Sequence, residues 1–92
     1  MRGCTDHFRQ RCLERWGFAP SAGEVDWMVE QIQQGRALLL RSSTRRGGRR
    51  YLVEVRGYGR EVVWFDAVLI TALRTPPVPW RRVERLLERA AS

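Results

Sequence analysis

Five arginines surround a diglycine in the stretch Arg41-Ser42-Ser43-Thr44-Arg45-Arg46-Gly47-Gly48-Arg49-Arg50. A guanidinium stays charged at physiological pH and offers donors in a planar fork, so a cluster of them suits phosphate oxygens or carboxylates. Gly47-Gly48 supplies the φ > 0 conformations of a tight turn. Beyond it, Tyr51, Val53 and Val55 alternate with Leu52, Glu54 and Arg56, the period of a strand. The stretch therefore predicts a β-hairpin with a cationic tip. Arg45, Arg46, Arg49 and Arg50 at that tip would enter a groove or track phosphates, with Arg41 and Arg60 on its flanks. Tyr51, Tyr58 or Trp64, where exposed, would stack on unpaired bases.

The charge count points to the same place. Of the net charge of +7, residues 41–60 carry +6, seven arginines against Glu54. Residues 1–40 are balanced, and residues 61–92 add +1. A localised excess attracts a phosphate backbone or an acidic protein surface. The competing reading is solubility or a compositional bias, because all seventeen basic residues are Arg.

Around the hairpin the pattern predicts an α+β domain. Residues 5–16 read as a helix capped by Thr5 or Asp6, with Phe8, Cys12, Leu13 and Trp16 as its apolar stripe and Gly17 as its end. His7 and Arg11 are four apart and share another side. Residues 21–35 form a second helix. Ser21 and Glu24 have capping-box spacing, and Val25, Met28, Val29 and Ile32 form a buried stripe. Trp27 falls off that stripe, either packing on a neighbouring element or lying at a contact surface. Strands follow at 37–41, 49–56, 60–66 and 68–74, with a turn at Gly57-Tyr58-Gly59 and a very short link at Asp66-Ala67. Short connections favour an antiparallel meander. The third and fourth strands are apolar on both faces and should be central or covered. A Pro-rich linker at 75–79 breaks regular structure before a terminal helix at 79–91. That helix sets Trp80, Val83, Leu86, Leu87 and Ala90 against Arg81, Arg82, Arg85 and Arg89. It can cover the sheet, dock on a partner, or pair two copies as a homodimer. The expected architecture is two N-terminal helices on a four-stranded antiparallel meander sheet plus a C-terminal amphipathic helix, in one domain over 1–92.

Several function classes lack their residues. One His and no Cys-x-x-Cys provide no zinc set, so no metal and no cofactor are expected. With Cys4 and Cys12 on the first helix, they would lie about 12 Å apart along its axis, too far for a disulfide. No run is long enough for a membrane span and no signal peptide is visible, so a cytoplasmic protein in a reducing compartment is expected.

The order of features resembles a known group. His7-Phe8-Arg9-Gln10-Arg11 opens a helix, and Ile32-Gln33-Gln34-Gly35-Arg36-Ala37 closes the next. Then come Arg50-Tyr51-Leu52-Val53, Val62-Val63-Trp64-Phe65-Asp66 and Leu69-Ile70-Thr71-Ala72-Leu73. Over about residues 5–75 this resembles small phage and bacterial proteins related to the barnase–EndoU–colicin–RelE group of ribonuclease-like domains. The resemblance implies helices on one face of an antiparallel sheet and RNA cleavage on the open face. It implies His7, Arg11 and Thr71 as the catalytic set, with Arg50 and Tyr51 as phosphate or base contacts. The Asp66-Ala67-Val68 link is tighter than the basic loop the group carries there.

Metal-independent cleavage of RNA needs a base for the 2′-hydroxyl, an acid for the leaving oxygen and positive charge on the phosphate. His7 suits either proton-transfer role, Arg11 would hold the phosphate and Thr71 would orient it. Glu54, Glu61 and Tyr51 are the candidates for a second proton-transfer group. Two functions are therefore expected. One is a nucleic-acid-associated, ribonuclease-like domain, a toxin or RNA-processing protein, binding RNA in preference to DNA. The other is a non-catalytic, anti-CRISPR-like phage or mobile-element inhibitor of a host nucleic-acid-handling complex.

Overall fold

Glycines and caps place the helix ends. The computed structural model describes residues 3–41 and 47–91. Helix α1 spans Phe8–Trp16 and ends at Gly17, whose φ of 88° returns its N–H to the Leu13 carbonyl. Its start departs from the sequence expectation. His7 is the N-cap, without a side-chain cap bond, and neither Thr5 nor Asp6 takes that place. Thr5 is held elsewhere: its N–H donates to the Leu69 carbonyl and its hydroxyl to the Ile70 carbonyl. Helix α2 spans Ala22–Gln33 and carries the full capping box, Ser21 with Glu24. Phe8, Cys12 and Trp16 are buried as the apolar stripe predicts, but Leu13 is 53% exposed. One helical stripe covers about 100°, and Leu13 lies outside the part that meets the sheet.

Five antiparallel strands follow: β1 (Leu38–Arg41), β2 (Arg49–Val55), β3 (Tyr58–Phe65), β4 (Val68–Ala72) and β5 (Val78–Pro79). The first four form the expected meander, in the order β1-β2-β3-β4. Both tight turns are two-residue hairpins with positive φ throughout, Arg56-Gly57 and Asp66-Ala67. Tyr58 thus belongs to β3, paired with Val55, rather than to the turn. Strand β5 lies inside the segment read as a linker. Val78 and Pro79 pair with Gly59 and Tyr58, and the Trp80 N–H donates to the Gly57 carbonyl. The flanking prolines hold this piece extended, and a proline is tolerated at a sheet edge because it owes the ladder no donor.

Strand β4 is not central. Its outer edge is covered by the N-terminal segment: Cys4 bridges Leu69, and the Leu69 N–H donates to the Gly3 carbonyl. Cys4 is therefore off α1. Cys4 and Cys12 are both buried free thiols, and burial pushes the Cys12 pKa up to about 12, leaving it protonated at neutral pH.

Register divides the sheet into two faces. Val53, Val55, Val62, Leu69 and Ala72 point to the inner face, where α1 lies over β4 and α2 along β2. With Phe8, Cys12, Trp16, Val25 and Met28 they form the core. Arg50, Leu52, Glu61, Val63 and Thr71 point to the outer face. Helix α3 (Trp80–Ala91) lies over one end of that outer face. A Cβ on Gly59 would meet Val83 Cγ2 at 3.0 Å and Trp80 Cε3 at 3.6 Å, so the absent side chain is what lets α3 approach. Val83 is fully buried there, while Leu86 stays exposed.

One polar side chain completes the sheet. Leu38 of β1 pairs with Leu52, which leaves Glu54 without a strand partner on that side. The fully buried Gln31 amide takes the vacant place. The Glu54 N–H donates to Gln31 Oε1 at 2.6 Å, and Gln31 Nε2 donates to the Glu54 carbonyl at 2.9 Å. Replacing Gln31 by Leu strands both backbone groups and should cost about 1–3 kcal/mol in urea unfolding, against no change for exposed Gln33→Leu. Ala67 holds φ 63°, a region that disfavours a Cβ. Ala67→Gly should therefore raise stability by about 1 kcal/mol in the same measurement.

Candidate nucleic-acid interface

The arginines divide by what they touch. Arg56 donates to both Glu24 carboxylate oxygens and lies 3.9 Å over the Phe18 ring. Arg15 reaches over β4 to the Thr71 hydroxyl and the Ala72 carbonyl. Arg11 pairs with Glu14 at 2.9 Å, and Arg9 donates to the Pro20 carbonyl. Arg60 lies on the inner face with its guanidinium 5.7 Å from Trp16 and 5.5 Å from Phe18, and burial pulls its pKa down. Its Nε is buried without a hydrogen-bond partner among the described residues.

Arg50 is likewise engaged. It ion-pairs with Glu61 across the outer face, and the Thr75 hydroxyl donates to the other Glu61 oxygen. The Glu61 side chain is 6% exposed and that of Arg50 33%. Tyr51 is half-buried and packs against the inner-face core. Arg50, Tyr51 and Arg60 are thus built into the sheet, because each projects toward a partner that register brings beside it.

Arg41 and Arg49 stand apart from these. Arg41 ends β1 and Arg49 begins β2, both exposed, and neither has an ion pair among the described residues. Arg45 and Arg46, with Ser42, Ser43 and Thr44, lie outside the described residues. At the hairpin base a cleft of about 240 Å³ is lined by Gly47, Arg49, Trp64, Phe65 and Asp66. Trp64 is half-buried against the core, but Phe65 is 44% exposed. The sequence pattern assigned Phe65 to a covered strand. It is the last residue before a two-residue turn, where the paired sheet ends. On α3, Arg81, Arg82 and Arg85 are exposed as well.

His7, Arg11 and Thr71 each have their own surroundings. No hydrogen bond joins them among the described residues. His7 is an exposed helix cap, Arg11 is paired with Glu14, and Thr71 accepts from Arg15 at 3.3 Å. Among the described residues no three His, Cys, Asp or Glu side chains come together to hold a metal. No helix is long and apolar enough to cross a membrane. The chain matches no family model, no curated protein and no solved structure.

Two ion pairs give measurable consequences. Removing Arg50 leaves the Glu61 carboxylate buried with Thr75 alone. Arg50→Ala should cost on the order of 2 kcal/mol, and a double-mutant cycle with Glu61→Gln should recover part of it. The Arg56 hydrogen bond, followed by the Ser21 N–H, holds the Glu24 pKa down to about 2 from 4.5. That stabilisation is complete above pH 4.5 and disappears as pH falls toward 2. Denaturant melts across this range should show the native protein losing stability more steeply than Glu24→Gln.

Proposed function

We propose that this protein binds single-stranded RNA at the β1–β2 hairpin, without cutting it. Arg41, Arg45, Arg46 and Arg49 contact phosphates, and the exposed Phe65 ring offers a face on which an unpaired base stacks. The observation that carries this reading is the partition of the arginines. Those facing the sheet have internal partners, whereas Arg41 and Arg49 stand exposed, Arg49 in one cleft with the exposed Phe65 ring. Stacking on a ring favours RNA strands whose bases are already splayed over a duplex whose bases are stacked inside. The resemblance to the ribonuclease-like group supports RNA as the ligand. The engagement of Arg11 by Glu14 and of Thr71 by Arg15 supports binding over cleavage.

Fluorescence anisotropy with a labelled single-stranded RNA, titrated with salt, tests the reading. Binding should weaken with salt, and removing Arg41 or Arg49 should reduce the salt slope by about 1 each. Phe65→Ala should weaken single-stranded RNA binding by about 1–3 kcal/mol with the slope unchanged. Arg56→Ala should leave binding as it is. No binding at low salt, or affinity indifferent to the hairpin arginines, defeats the proposal and leaves an acidic host protein as the partner to seek. RNA cut by the native protein and left whole by His7→Ala would show an enzyme instead.

A further inference from the structure

A second cleft lies on the far side of the molecule's chemistry. It measures about 420 Å³ and separates the C-terminal half of α2 from α3. Two indoles line it, Trp27 and Trp80, together with Leu87. Glu84 and Glu88 line it too, and Arg36 is the one basic residue among the lining side chains. Its volume falls within the range of about 300–1,000 Å³ that small-molecule sites occupy. Trp80 and Glu84 also line a neighbouring hollow that adds Glu54, Tyr58 and Arg81, a carboxylate and a guanidinium that cancel.

The walls are held in place. The Trp27 Nε1–H donates to Glu54 Oε1 at 3.0 Å, and Gln31 is fixed to the Glu54 backbone one turn farther along α2. Trp80 is seated against Gly59. The two indoles do not stack on each other; the ring pairs formed among the described residues are Phe8 with Trp16 and Trp16 with Phe18. Both indoles are part-exposed and line the cleft.

The charge is the unexpected part. The chain has seventeen arginines, yet neither Glu84 nor Glu88 has an ion-pair partner among the described residues. Two carboxylates against the Arg36 guanidinium give the lining a net −1 in a protein of net +7. An aromatic face attracts a cation through its quadrupole, and nearby carboxylates reinforce it. The same carboxylates repel phosphates and other anions.

We propose that this cleft binds a small organic cation, an alkyl- or arylammonium, with its charge held between the indole faces and Glu84 and Glu88. The site uses none of the residues of the RNA interface, so either can fail without the other.

Nuclear magnetic resonance of the indole N–H groups reads it directly, since the four tryptophans divide between site and core. Benzylammonium serves as the probe and benzyl alcohol as its neutral isostere. Benzylammonium should shift the Trp27 and Trp80 signals saturably and leave those of Trp16 and Trp64 in place. Benzyl alcohol should bind at least about fivefold more weakly, the share of the cation–π contact. The exposed pair Glu84→Gln and Glu88→Gln, made together, should weaken benzylammonium about tenfold with the Trp16 signal unmoved. Shifts that fail to saturate, that spread equally over all four indoles, that benzyl alcohol reproduces, or that survive the double substitution unchanged each overturn the proposal.

Discussion

The Gln31 amide beside Glu54 is the contact on which the arrangement of layers depends. A strand residue without a neighbour must still satisfy its N–H and C=O when water is excluded. Here a helix side chain does so, with both halves of its amide, from a fully buried position. That bond pair fixes how far α2 slides along β2. It thereby sets Val25 and Met28 into the core and brings the Trp27 indole to the Glu54 carboxylate. The same Glu54 oxygens hold the next turn, because the Gly57 N–H donates to Oε2. One residue thus ties α2, β2 and the β2–β3 turn together.

Burial of the sheet explains the fate of the arginines. Helices α1 and α2 cover the inner face, and α3 covers one end of the outer face. A guanidinium projecting from a covered strand must pair, stack or lose part of its hydration. Arg50 pairs with Glu61, and Arg60 stacks near Trp16 and Phe18 with one nitrogen unsatisfied. Charge concentrated in residues 41–60 is therefore not all surface charge. Among the described residues of that stretch, Arg41, Arg49 and the Glu24-paired Arg56 remain outward.

Local signals were legible in the sequence wherever the determining contacts are local. The capping box of Ser21 and Glu24 and the period of Val25, Met28, Val29 and Ile32 place α2 nearly to the residue. The alternation through β2 and the short links predict the meander. Expectations failed where a distant element intervened. Thr5 has the right chemistry for a cap, but β4 offers it a backbone partner first. The segment 75–79 has the composition of a linker, yet two of its residues meet a free stretch of β3. The turn expected at Gly57-Tyr58-Gly59 falls instead at Arg56-Gly57, because Arg56 adopts positive φ without being glycine.

Sequence alone determined the order of helices and strands, because propensity, capping and periodicity act over a few neighbours. It also determined that positive charge collects around one hairpin. Tertiary structure decided which of those charges are free and which groups form a site. Arg50 is drawn into the sheet by a carboxylate eleven positions away, and Arg56, still exposed, is paired with one thirty-two positions away. Trp27 and Trp80 become two walls of one cleft only after α3 crosses the sheet beside α2. Partners that far apart in the chain meet through register and helix docking, and no local pattern of residue types encodes that distance.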